Sequence, residues 1–293
     1  MMKTAITAIF LFISSLIYSQ PQYNSVFIEL DSIDENNRIY KTGMAFIFDY
    51  EIVRGNDTLK LKYNNHVDNP FLSSKDIDSV QKYIDEKISN GENPFEYSFE
   101  YSNIYDDSIG IDKIIFLVYK TKERTNNNQT EILLLQSPDY SNISSTGLIE
   151  NNVNVWLHPI RCGYFAALQA CPFPYIKRKC KVGYTWKDAM RIGYGMSEHT
   201  GAWKGRVTLH YTYKIVDKKI IPTKLGNMET YVIESKAKSK YFTTYLTSYF
   251  SETYGFVRWE YTLVNGIKLN FWIDEIKKGV KCSDYPLIWG CVD

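Results

Sequence analysis

The sequence predicts a β-dominated α+β protein, with a curved antiparallel meander or half-barrel in its C-terminal half and a smaller α+β unit before it. Three observations predict this. Val207, Leu209, Tyr211, Tyr213 and Ile215 recur at every second position, with Thr208, His210, Thr212 and Lys214 between them, the period of a strand with one buried and one wet face. Further strand-like runs follow at 230–234, 241–250, 256–263 and 267–273. The gaps between them are too short for crossover helices, so neighbouring strands should be antiparallel. Finally, the 293 residues include 24 Tyr and are 15% aromatic, which suits sheets whose faces meet both core and water.

Taken in order, the chain opens on an export address. Met1-Met2-Lys3 supplies a positive start, residues 5–17 are apolar, and Ile17-Tyr18-Ser19 offers a cleavage site before Gln20, so residues 1–19 are expected to be a signal peptide. That apolar run is shorter than the roughly 20 residues a membrane helix needs. No cysteine stands at the cleavage point and no later stretch is apolar enough to span a bilayer. The mature chain is expected in the periplasm, on the outer surface or outside the cell.

Residues 20–136 read as the N-terminal α+β unit. Strands are expected over 25–30, 38–53, 58–63, 95–101, 113–119 and 131–136, with Arg54-Gly55-Asn56-Asp57 turning the second into the third. One amphipathic helix is expected, capped by Ser73, striped by Ile77, Val80, Ile84 and Ile88, and stopped by Gly91. Residues 137–152, rich in Ser and Asn, read as a linker. The second unit, 153–293, begins with a short strand at 153–157, an irregular cysteine-bearing stretch and one helical turn over 184–190, and then enters the meander.

Five cysteines in an exported chain imply disulfides. Cys282 and Cys291 form the simplest pair, and Cys171 with Cys180 is the preferred second one. An odd thiol is left over.

Catalytic signatures are missing. There is no Gly-x-Ser-x-Gly elbow, no His-Glu-x-x-His helix and no phosphate-cradling loop. Gln169-Ala170-Cys171 is followed by Pro172, and His158 lies too near it for a cysteine-protease arrangement. The cysteine spacing does not suit zinc, so neither a metal nor a cofactor is expected. His210 falls on the polar face of its strand. Asp106-Asp107 and Asp274-Glu275 sit in turns or at a strand end. Lys and Arg total 34 against 33 Asp and Glu, so no global field directs the chain to nucleic acid or an anionic membrane.

The stretch 203–260 carries a resemblance. Trp203, the strand at 207–215, Ile220-Ile221-Pro222-Thr223, Gly226, the run Glu229 to Ser235 and the run Tyr249 to Arg258 are similar to exported β-proteins of the TapB type. Those resemble in turn the curved-sheet lipoprotein carriers LolA and LolB. The resemblance implies a strongly curved sheet with a hydrophobic concave face. On that reading a lipid-like or amphipathic ligand lies against Leu209, Tyr211, Leu246, Phe250, Trp259, Tyr261, Leu269 and Phe271. The alternative is a surface module whose exposed tyrosines and sheet edges meet an envelope protein, and a hydrolase of unrecognised type is the more distant one. An open apolar trough would favour the ligand, and a filled core with a Tyr-rich patch would favour the partner.

Overall fold

The computed structural model describes residues 37–63, 99–103, 110–121, 129–137, 144–161, 163–193, 206–281, 284–285 and 291–292. The expected signal peptide, the strand at 25–30 and the helix at 73–91 lie outside them. The described strands are β1 Met44–Arg54, β2 Asp57–Tyr63, β3 Phe99–Asn103, β4 Lys113–Val118, β5 Lys120–Thr121, β6 Thr130–Ser137, β7 Ser144–Glu150, β8 Asn154–Leu157 and β9 Tyr175–Lys177. They continue as β10 Thr185–Ile192, β11 Val207–Thr223, β12 Gly226–Lys238, β13 Thr243–Ser251, β14 Gly255–Thr262, β15 Lys268–Lys278 and β16 Cys291–Val292.

Fourteen of these strands form one antiparallel sheet in the order β10-β11-β12-β13-β14-β15-β1-β4-β6-β7-β8-β9, with β2 and β3 branching from β1. The separate β5–β16 pair brings the C-terminal residues to the end of β4. The sheet is strongly curved and does not close. Its two terminal strands, β9 and β10, are consecutive in the chain, and Tyr175 of β9 packs edge-on against Trp186 of β10 and Tyr213 of β11. Register shifts at Ile47/Phe48, Ile215/Asp217 and Tyr249/Phe250 add the local bend and twist that such curvature needs.

The alternation read at 207–215 is observed residue for residue, with the odd positions buried and Thr208, His210, Thr212 and Lys214 exposed. The two-unit division is replaced by one sheet. β1 pairs with β15 from Met44↔Lys278 to Val53↔Lys268, so strands from both expected units lie side by side over one core. Residues 144–150 of the expected linker form β7, paired to both β6 and β8. The helical turn expected at 184–190 is instead β10, which pairs with β11 over its whole length. Its sequence, TWKDAMRI, has few β-branched residues; pairing with β11 overrides the weak local preference.

A buried carboxylate ties the end of β7 to residues 38–40 and to the start of the β9–β10 connection. Glu150, at the end of β7, is 1% exposed and accepts the backbone N–H groups of Arg38, Ile39 and Tyr40 at 2.9–3.2 Å. The Arg178 guanidinium, from the β9–β10 connection, donates to it at 3.0 Å and also to the Asn151 carbonyl. The Tyr40 hydroxyl in turn accepts the Phe256 N–H at 2.9 Å. Gly255 is required beside it: its φ is +78°, and an added Cβ would meet the Tyr40 hydroxyl at 2.3 Å.

Replacing Glu150 with Ala leaves three N–H groups and a buried guanidinium without their acceptor. Loss of one partner from such a pair costs about 3–5 kcal/mol, and urea titration of E150A against the native protein should show a destabilisation of that order.

Candidate functional site

The eight residues expected to line the concave face do lie together there. Leu209, Tyr211, Leu246, Phe250, Trp259, Tyr261, Leu269 and Phe271 are all at most 2% exposed and belong to one core cluster. The face is covered by the chain itself. After β8, residues 158–174 cross the mouth of the curved sheet as a loop around the 3-10 segment Gly163–Ala170. Phe165 packs against Tyr50 and Phe271 with ring centroids 5.3 and 5.7 Å apart. Phe173 packs against Trp156, His158 and Tyr211. The Thr244 hydroxyl fixes the cover by donating to the Ala170 carbonyl at 2.7 Å.

Among the described residues, the packing beneath it is close. The void between Leu168, Trp259, Tyr261 and Phe271 measures about 10 Å³, at the lower limit for one water molecule. Exposing Phe165, Leu168 and Phe173 would cost on the order of 5 kcal/mol or more at about 1.5–3 kcal/mol per side chain. An apolar ligand has to match that before it gains anything.

The cysteines of the covering region are unpaired. Cys171 and Cys180 are free thiols, the first fully buried and the second partly exposed, so the expected Cys171–Cys180 bridge is not formed. Cys171 points into the core as a small apolar side chain, and burial pushes its thiol up to about 12 despite a hydrogen bond with Thr244. The side chains of Cys282 and Cys291 lie outside the described residues, and so does that expected pair.

Asp106 and Asp107 lie outside the described residues, and the other titratable groups singled out by sequence do not converge. His158 is held down to about 4, first by burial and then by Arg161, against a hydrogen bond with the Pro159 carbonyl. His210 projects from the outer face of β11. Asp274 forms ion pairs with Lys113 and Lys224, in a network that also joins Asp49 and Lys60. Asp188, not foreseen, is pushed up to about 6 by burial, while the Ala189 N–H it accepts and nearby Lys177 pull the other way. It faces Tyr211 across the β10–β11 pair. Among the described residues, no trio of His, Cys, Asp or Glu is placed to hold a metal ion, and no helix is long and apolar enough to cross a membrane.

The outer face of β10–β14 is different in character. Register sets two rows across it: Lys187, Thr212, Lys236, Tyr245 and Thr262, then Thr185, Lys214, Glu234, Thr247 and Glu260. An open depression of about 740 Å³ lies over the β10–β13 part of these rows. Tyr245 is 46% exposed, with the Lys236 ammonium 5.8 Å from its ring. The pattern extends to Tyr249, which has Lys219 and Arg258 each 5.5 Å from its ring, and to Tyr241 with Lys240 at 4.6 Å. Residues 185–192 and 206–262 hold eleven Lys and Arg against six Asp and Glu, in a chain of net charge +1. The balanced total thus conceals a basic block.

No known protein-family model matches the sequence, and no curated protein matches it. Among solved structures, a "putative lipoprotein" from Parabacteroides distasonis is similar with 10% identity and a TM-score of 0.43, over 82% of this chain and 97% of that one. A "putative exported protein" with a YmcC-like fold from Bacteroides fragilis shows 8% identity and a TM-score of 0.38, over 82% and 98%. The hypothetical lipoprotein YmcC from Escherichia coli shows 13% identity and a TM-score of 0.32, over 56% and 78%. At TM-scores below 0.5 these likenesses carry no argument about function. The TapB- and LolA-type resemblance remains one of sequence.

Two measurements follow. Under native conditions iodoacetamide should label Cys180 and spare Cys171, and peptide mass mapping would show it; labelling of Cys171 before unfolding would contradict its burial. The second concerns pH. His158 titrates near 4 when folded and at 6.5 when free, so the folded protein binds fewer protons in that window. Its contribution is whole above pH 6.5 and is lost as pH falls toward 4, a change of about 3 kcal/mol. Asp188 titrates near 6 against 3.8, and stability linked to it falls as pH rises through 3.8–6. The two slopes oppose in the native protein. Asp188→Asn should steepen the loss of stability between pH 6.5 and 4.5, and His158→Gln should flatten or reverse it, as read by urea titrations at both pH values.

Proposed function

We propose that the protein is a non-enzymatic exported β-protein that works by presenting the outer face of β10–β14 to a partner in the cell envelope or outside it. The observation that carries this reading is the contrast between the two faces of one sheet. Among the described residues, the concave face is packed by residues 158–161 and 163–174, with a void of about 10 Å³ beside Leu168, whereas the outer face carries an open depression with basic side chains and exposed Tyr245. An apolar body with a polar tip suits Tyr to surfaces that alternate between water and a partner. Export is supported by the signal-like residues 1–19. The displaced groups, His158 and Asp188, owe their shifts to burial, a structural cause that calls for no reaction.

A hydrophobic ligand on the concave face is the second reading. It requires residues 163–174 to withdraw and uncover Phe165 and Phe173, and the apolar surface waiting beneath them favours it.

The two are separated by one pair of experiments on the mature protein in an exporting host. A photo-crosslinking residue at Thr247, on the outer face, should yield adducts that the same residue at Val153, exposed at the β7–β8 turn, does not. Native mass spectrometry of gently purified protein should give the apo mass. A lipid-sized mass increment that disappears in Phe271→Asp, with no adduct at Thr247, would replace the first reading by the second.

A further inference from the structure

Resting on the outer-face reading, we infer that the depression over β10–β13 binds an anionic glycan, one whose sugar rings carry carboxylate or phosphate groups. The site is assembled by register from four strands. Lys187 and Lys236 stand in one cross-strand row with Thr212 between them, and Lys214 stands in the next row beside Thr185. Strands lie about 4.8 Å apart, so Lys187 and Lys236, two strands apart, root their side chains roughly 10 Å from each other. Glu234 is the one acid lining the depression, against three ammonium groups. Among the described residues neither Lys187 nor Lys214 is in an ion pair, and both are exposed.

The choice among polyanions follows from what else the depression offers. A bilayer is planar and is gripped by apolar anchors pushed below the headgroups; this surface is concave, and Tyr245 is its one exposed large apolar side chain. An extended acidic peptide gains much of its affinity from main-chain bonds to a free strand edge. Here most of the floor is paired interior, with every strand from β11 to β13 bonded on both sides and only β10 at the rim presenting an edge, so across the floor the backbone groups are already used. What remains is hydroxyl groups (Thr185 and Thr212), ammonium groups and an exposed aromatic plane. That set matches a sugar polymer: hydroxyls for hydroxyls, ammonium for carboxylate or phosphate, and the Tyr245 ring for the apolar face of a pyranose. An open trough also accepts a chain passing through, and the aromatic–cation pairs at Tyr241 and Tyr249 continue the same chemistry on either side of it.

The test uses the mature full-length protein and four probes: polygalacturonate, neutral dextran, poly-L-glutamate, and vesicles of phosphatidylglycerol with phosphatidylcholine. Binding is followed by affinity electrophoresis and by vesicle flotation. Polygalacturonate should bind, dextran should not, and binding should weaken as salt rises through the range in which exposed charges are screened. The double variant Lys187→Glu, Lys236→Glu should weaken polygalacturonate by about tenfold or more, as expected for loss of charge-assisted contacts. Tyr245→Ala should weaken it by about threefold to tenfold, the size of an aromatic contact, while leaving the weak poly-L-glutamate interaction unchanged. All three positions are at the surface, and thermal melts of the variants check that the fold is kept. Tighter binding of poly-L-glutamate or of vesicles, sensitive to the same lysines, would overturn the glycan assignment and leave the outer-face reading standing. Polygalacturonate binding indifferent to Lys187, Lys236 and Tyr245 would overturn this site. Absence of binding to every probe, together with adducts at Thr247, would reject the anionic glycan while the outer face remained the partner surface.

Discussion

The structure depends on one buried carboxylate. A sheet this long has two ends, and nothing in strand pairing brings them together. Packing of Tyr175 against Trp186 and Tyr213 does so, and Glu150 braces the segments beside that contact. It terminates β7 near one end of the sheet, holds the backbone of residues 38–40 with both oxygens, and receives Arg178 from the connection that leads to the other end. Tyr40, so placed, carries the link on to the β13–β14 turn through Phe256. A charge in this position is costly unless every lone pair is occupied, and here backbone N–H groups and a guanidinium occupy them. These ties brace the interior that the curved sheet encloses.

That volume is filled from within. The loop 158–174 follows directly from the short strand β8, and its aromatic residues enter the interior as though they belonged to a second sheet. A single-layer sheet leaves one face apolar and uncovered, and the usual remedies are a helix, another sheet or closure into a barrel. This chain uses a 3-10 segment and two Phe side chains instead. The outer face of β1, β4 and β6 has its own apolar cluster, from Ala45 to Leu135, with Val280 and Tyr285 packed against it. Among the described residues, the inner side of the sheet is packed and the outer side is covered over β1, β4 and β6, while an open depression lies on the outer surface of β10–β13.

Much of this was legible in the sequence. The period-two runs located β11 to β15 because each has one wet face, and alternation survives wherever one face meets water. The strands that escaped notice lack that signature. β7, SSTGLIE, is buried along its second half, and a continuously buried strand carries no alternation. β9 is three residues long, and β10 lies at an edge where half-exposed positions blur the pattern. The division into two units failed for a different reason. Sequence order says which strands are consecutive, whereas the pairing of β1 with β15 joins residues more than two hundred positions apart. The Cys171–Cys180 bridge failed because an export context raises the prior for disulfides without regard to burial, and a buried Cys behaves as a small apolar residue.

The eight residues expected to line the concave face share one buried cluster, because inward-facing positions follow from period and from antiparallel pairing alone. Whether such a surface is open or covered does not follow, since the cover comes from a segment with no periodicity to read. The outer site was illegible for a complementary reason. Lys187, Thr212, Lys236 and Tyr245 come from four strands and fall into one row only once three registers are known. A slip of one residue in any of them would turn a lysine inward and dissolve the row. The same three registers are held by the buried partners beneath: Trp186 stacks on Tyr213 at 5.2 Å, and Ala237 and Leu246 pack in the core below β12 and β13. The basic, tyrosine-bearing face is therefore a consequence of how the interior packs, and its position on the molecule is as firmly determined as the core itself.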